Sequence, residues 1–226
     1  MEIATIEHAI ADAGLIVVGG FRPRPEDGVP APATAVVLVG NAGPAMWRAF
    51  AAAVPPSERD SRRHPLDDWT RSVLTTAAES LGVRVLFPFD GPPWYPFQAW
   101  ALRTNTVHPT PIGPLIHPDY GLWHAYRGAF VLAAPIDLPA PDSRPSPCDS
   151  CAEQPCLSTC PVDAIAHNAY DVPACTNHIA SAAGRDCLDF GCRARLACPV
   201  GRTYAYDPAQ AAFHMRKFLA LHGGSG

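Results

Sequence analysis

Apolar residues recur at Ile3, Ile6, Ala9, Ile10 and Ala13, the spacing of one helical face. Gly14 ends the run, so the pattern predicts a helix over 2–13. Leu15 to Gly19 reads as a short buried strand. After a proline-rich loop at 22–33, Thr34 to Gly40 is a continuous β-branched run, which predicts an interior strand. Helices are expected at 43–53 and 66–81, the second stopped by Gly82, with strands at Val83–Phe87 and Gly128–Ala133 and a helix from Phe97 to about Asn105. Strands and helices alternating up to about residue 134 argue for a mixed α/β layered fold, α/β or α+β. From Pro135 to Pro147 the chain holds five prolines and no large apolar residue beyond Ile136 and Leu138. That stretch reads as a linker, dividing a front domain, 1–139, from a region at 140–226 that carries the cysteines and ends in a helix.

Composition narrows the function classes. With 48% hydrophobic and 17% charged residues among 226, the chain can bury a sizeable core. A net charge of −4 leaves no basic excess to hold a phosphate backbone, so no nucleic-acid partner is expected. No apolar run approaches the roughly 18 residues that span a bilayer, and the first residues, Met1 to Glu7, lack the charged n-region of a signal peptide. The expectation is a cytoplasmic protein without a membrane partner. In a reducing compartment clustered cysteines point to metal rather than to disulfides.

All eight cysteines lie between Cys148 and Cys198. The first group is Cys148, Cys151, Cys156 and Cys160, with Pro161 following; the second is Cys175, Cys187, Cys192 and Cys198, with Pro199 following. In two-cluster ferredoxins the cysteine before the proline ligates the other cluster. The same reciprocity here would assign Cys148, Cys151, Cys156 and Cys198 to one 4Fe-4S cluster and Cys160, Cys175, Cys187 and Cys192 to a second. The longer spacings of the second group leave one cluster with spare thiols as an alternative. A structural zinc site built from Cys148/Cys151 and Cys187/Cys192 is another, although it leaves four cysteines and both Cys-Pro junctions unused. A disulfide framework suits a secreted chain without a large core, and neither condition is expected here.

The stretch Leu115-Ile116-His117-Pro118-Asp119-Tyr120-Gly121-Leu122-Trp123-His124-Ala125-Tyr126-Arg127-Gly128 resembles the His-Pro to Arg-Gly segment of CblC-type cobalamin-processing proteins. Ala35–Val39 followed by Pro44-Ala45-Met46 also looks like part of that family, and the likeness runs over roughly 34–139. The arrangement as a whole resembles epoxyqueuosine reductase and, more distantly, reductive dehalogenases. There a nitroreductase-like domain holds base-off cobalamin and a ferredoxin-like module follows it. Phe87-Pro88-Phe89-Asp90-Gly91-Pro92-Pro93 is similar to the epoxyqueuosine reductase segment that carries the proton-donating aspartate.

The resemblance implies a cobalamin-dependent reductase, or a protein that removes cobalamin's upper ligand. Two 4Fe-4S clusters would deliver electrons to cobalt, a separate low-potential donor would supply them, and a corrinoid or another small molecule would be the substrate. His117, Gly121, Trp123 and Arg127 become candidate corrin contacts and Asp90 a candidate catalytic acid. Each has a plainer reading. His117 can be a polar residue in a proline-bounded turn, Trp123 and Tyr126 core aromatics, Arg127 a solvated charge or an anion-binding fork, and Asp90 a turn former. Arg62-Arg63-His64 reads as a solvated loop. Two other functions are open: a flavin reductase, because the nitroreductase-like fold commonly holds flavin mononucleotide (FMN), and a non-catalytic corrinoid chaperone or sensor.

Overall fold

In the computed structural model, which describes residues 1–223, the N-terminal apolar stripe forms α1 (Ile3–Ile10), prolonged by a 3-10 turn over Ala11–Ala13. Gly14 stops it in the left-handed region at φ 64°. The chain separates into two units. One comprises Met1–Val107 and His124–Ser143; the other comprises His108–Trp123 and the chain from Arg144 onward. The segment 108–123, read from sequence as part of the front domain, therefore clusters with the cysteines.

The first unit is built on four antiparallel strands. β1 (Ile16–Phe21) and β2 (Ala35–Ala42) precede three helices, α2 (Ala45–Ala53), α3 (Pro56–Ser61) and α4 (Pro65–Leu81). β3 (Arg84–Leu86), α5 (Phe97–Arg103) and β4 (His124–Leu132) complete it, and the sheet order is β1-β2-β4-β3. The run predicted to be interior is so: every residue of β2 from Ala35 to Asn41 is buried, as a strand covered on both faces requires.

Two departures from the sequence pattern have simple causes. β4 starts at His124 rather than Gly128 because its half-buried first part still has a ladder to join, pairing Tyr126 with Gly40, Ala125 with Asn41 and His124 with Ala42. α3 has no buried residue and hence no apolar period to read; it rests on Pro56 in its first turn and an ion pair of 2.8 Å between Glu58 and Arg62.

The second unit carries little sheet. β5 (Ile165–Ala166) and β6 (Ala169–Tyr170) form a small hairpin. Four helices follow: α6 (Val172–Ala180), α7 (Arg185–Phe190), α8 (Arg193–Ala197) and α9 (Pro208–His222). The C-terminal helix was expected; α6, α7 and α8 are short, and cysteines interrupt the aliphatic period that would reveal them. Among the described residues, no helix is long and apolar enough to cross a membrane.

The first unit's core is anchored at Trp100, which is fully buried and donates its indole N–H to the Asp27 carbonyl at 2.8 Å. Phe97 at 5.1 Å and Tyr95 at 5.5 Å pack on its ring. Trp100→Ala is expected to cost about 3–5 kcal/mol, and Trp100→Phe less, chiefly for the Asp27 carbonyl left without its donor. Urea unfolding followed by circular dichroism measures both.

Candidate metal centres

Cysteines distant in sequence meet in the second unit. Cys148, Cys151, Cys156 and Cys198 line one narrow apolar cavity, walled by Pro147, Pro155, Pro199, Ile116 and Val200. Ile116, Leu122 and Cys198 form a buried cluster against which Cys148 and Val200 pack. Cys160 and Cys192 both act electrostatically on Cys175, and Cys192 acts on Cys187. The eight sulfurs thus fall into two sets of four, each mixing the two sequence groups, and all eight are free thiols.

Local structure explains the convergence. Within the first group, the Cys148 carbonyl accepts from the Cys151 amide at 3.2 Å, and Cys156 sits in a 3-10 turn over Pro155–Leu157. Cys198 ends α8 in extended conformation with Pro199 behind it, which turns the chain toward the first group. Asp171 caps α6 by accepting from the Ala174 amide at 2.9 Å, which fixes the first turn that carries Cys175. The Ala164 amide donates to Cys160 Sγ at 3.3 Å.

Burial pushes the thiols of Cys148, Cys156, Cys175, Cys187 and Cys198 above the ordinary range. Neighbouring sulfurs add to the rise, Cys198 acting on both Cys148 and Cys156. Four thiolates crowded together repel unless cations lie among them, so the donor set fits a group that supplies positive charge at the centre of each four.

The segment 108–123 is bound tightly into this unit. His117 and Gly121 exchange backbone hydrogen bonds of 3.0 and 2.8 Å, and His117 Nδ1 accepts from the amides of Asp119 at 3.0 Å and Tyr120 at 3.3 Å. The imidazole also stacks on Tyr120 at 4.2 Å. Gly121 is at φ 57°, and a Cβ there would lie 2.1 Å from the Val200 carbonyl oxygen, so only glycine allows this approach beside Cys198. Trp123 is 4% exposed, and the Arg195 guanidinium lies over its ring at 4.7 Å and over that of Tyr206 at 4.5 Å. Arg195 Nε also donates to the Leu122 carbonyl at 3.1 Å. His117, Gly121 and Trp123, nominated from sequence as corrin contacts, are therefore engaged in holding this segment.

Arg127 belongs to the other unit. Its Nε donates to Asn41 Oδ1 at 3.2 Å, and Asn41 is fully buried. Arg127 also acts on Asp67, whose carboxyl is raised chiefly by burial and opposed by that guanidinium. Asp67 lines an open groove of about 640 Å³ together with His64, Asp68, Arg71, Pro88, Phe89 and Trp94. Asp90 pairs with Arg71 at 2.5 Å and accepts from the Phe87 amide at 3.3 Å, the geometry of a turn-forming aspartate. Arg71 lies over the rings of Phe87 and Phe89, at 4.5 and 4.9 Å. Sequence reasoning missed Asp67, Arg71 and Trp94 and took His64 for loop; the helical spacing of His64, Asp67, Asp68 and Arg71 is the signal that could have found their shared face.

No family model matches the chain, and no curated protein matches it. Solved structures do, and they define its class of fold. A selenomethionine-labelled epoxyqueuosine reductase superposes with a TM-score of 0.54 at 16% identity, over 92% of this chain and 69% of that one. Epoxyqueuosine reductase with an epoxyqueuosine-modified tRNA-Tyr stem loop gives 0.53 at 18%, and the enzyme from Streptococcus thermophilus 0.54 at 14%, each over the same shares. The fold is that of the epoxyqueuosine reductases.

Two outcomes follow for the cysteine unit. Arg195→Leu removes both ring contacts and the Leu122 hydrogen bond; a loss of about 2 kcal/mol is expected, read as faster amide exchange over 116–123. Because the folded thiols hold their protons longer than unfolded ones, the metal-free protein should lose stability as pH rises through and beyond the ordinary thiol range, about 8.5. Urea midpoints that rise between pH 7.5 and 9.5 (roughly bracketing that range) would contradict the burial assigned to these thiols.

Proposed function

We propose that this protein is an iron–sulfur oxidoreductase, with one 4Fe-4S cluster held by Cys148, Cys151, Cys156 and Cys198 and another by Cys160, Cys175, Cys187 and Cys192. The observation that carries the reading is the sorting of eight free sulfurs into two sets of four, each crossing the sequence groups. The fold shared with epoxyqueuosine reductases supports it, as does the ferredoxin-like cysteine pattern. When bound, the clusters would supply low-potential single electrons, and cobalamin would supply a metal centre able to take them up.

The chain's own residues define what it must do for that chemistry. The proline and aliphatic walls around the first four sulfurs limit their exposure, leaving Cys198 buried and the other three half-buried, and Gly121 with the Arg195 clamp fixes Cys198 against the first group. We place the corrinoid in the nitroreductase-like front unit. There the fit is narrower than the sequence suggested: Arg127, held by Asn41, and the groove lined by Asp67 lie in that unit, whereas His117, Gly121 and Trp123 serve the cysteine unit. Asp90 stays a proposed proton donor only if its pair with Arg71 opens.

A second reading is favoured by one observation, the tRNA stem loop bound by a structural neighbour. In that reading the substrate is a modified base in RNA. Gel-shift titration with an anticodon stem loop carrying the modified base, against an unmodified one, tests it.

Protein prepared anaerobically should approach about eight irons and about eight acid-labile sulfides per chain. Cys198→Ala should abolish the electron paramagnetic resonance signal of the cluster held by Cys148, Cys151 and Cys156 while sparing the other; stoichiometric zinc without sulfide would sink the proposal. Adding cob(II)alamin should give a base-off spectrum that Arg127→Ala weakens. An unchanged base-on spectrum with tight FMN binding would favour a flavin reductase instead.

A further inference from the structure

The two sulfur sets sit in different surroundings. The first is walled by prolines and aliphatic side chains. The second faces two side chains of a different kind. Tyr170, on β6, has its ring stacked on Phe218 of α9 at 6.1 Å and 21°, and Phe218 in turn packs on His222 at 4.8 Å. Held this way, the Tyr170 side chain, 46% exposed, lies beside the Cys175 thiol.

His178 lies three residues after Cys175, on the same face of α6. Its Nε2 is buried and has no hydrogen-bond partner. A ring nitrogen of His178 lies within 4.8 Å of Cys187 Sγ and of the Asp186 carboxylate. Asp186 is already engaged by Arg193 at 2.6 Å, and the Cys187 sulfur is the other acceptor beside the ring. A buried N–H without an acceptor is costly, by about 1–3 kcal/mol, and a ligating thiolate carries the negative charge that relieves it.

We propose that Tyr170 and His178 are hydrogen-bond donors to the sulfurs of the second set, at Cys175 and Cys187, and that they raise the reduction potential of its cluster independently of the first. The inference rests on the two-cluster reading above. A donor to a ligating sulfur draws density from the cluster and favours the reduced, more negative state. Both residues act through the cysteines and are positioning residues.

The test is a redox titration of the anaerobically loaded full-length protein, followed by electron paramagnetic resonance, for wild type, Tyr170→Phe, His178→Leu and His178→Gln. Tyr170→Phe keeps the ring that stacks on Phe218 and removes only the donor. At a fixed potential, each lost donor should lower the reduced-to-oxidised ratio of the second cluster roughly two- to tenfold, the worth of one hydrogen bond. His178→Gln keeps an N–H donor and should recover most of the shift, and the first cluster should not move. Midpoints that stay in place in Tyr170→Phe and His178→Leu, or that move together for both clusters, would overturn the inference. So would loss from His178→Leu of a single bound metal ion with both cluster midpoints unmoved, the sign of a separate site at His178, Asp186 and Cys187. Absence of any iron–sulfur signal from the wild type would instead overturn the two-cluster reading, and this inference with it.

Discussion

Eight sulfurs crowded into the cysteine unit impose the constraint on which the rest of that unit depends. Thiols buried in apolar surroundings resist ionisation, and once ionised they repel one another. The chain brings them together all the same, joining Cys198 to Cys148 and Cys156 across some forty residues of intervening sequence. Once ionised, such an arrangement is unfavourable without positive charge among the sulfurs, so under the proposed two-cluster reading metal binding and folding of this unit are coupled. The backbone devices around the sulfurs serve that end: the Asp171 cap on α6, the Cys-Pro junctions, and the glycine that lets residue 121 touch the Val200 carbonyl.

The segment 108–123 changes how the front half of the chain is understood. Its resemblance to cobalamin-processing proteins drew attention to His117, Gly121 and Trp123 as ligand contacts. In the structure His117 accepts from two amides of its own turn, Gly121 makes a close backbone approach, and Trp123 stacks under Arg195. A motif can thus be distinctive because it docks a loop onto the cysteine unit. Arg127, four residues beyond Trp123, lies in the other unit, where it meets buried Asn41 and acts on Asp67. The two ends of one motif have separate physical tasks.

Where the sequence was legible, the reason was a strong local signal. The β-branched run of β2 and the glycines at 14 and 82 marked an interior strand and two helix ends correctly. The Cys-Pro spacing suggested two crossed sets of sulfurs, and Cys148, Cys151, Cys156 and Cys198 line one cavity. The illegible parts lacked a period or depended on distant partners. α3 is polar all round, and the β5–β6 hairpin has only two residues per strand, turned by Asn168 at φ 57°. No local pattern announces that Arg195 will lie over a tryptophan 72 residues earlier in the chain. The groove beside Asp67 was hidden because its acids read as the solvated face of α4.

The central claim is that the eight cysteines hold two cubane clusters in crossed sets. Mössbauer spectroscopy of protein loaded anaerobically with isotope-enriched iron and sulfide tests it most directly. Two distinguishable four-iron centres in equal amounts, with one lost in Cys198→Ala and the other in Cys160→Ala, are expected. A single centre, two centres that fail together in either variant, or iron that does not bind while zinc does would contradict the account.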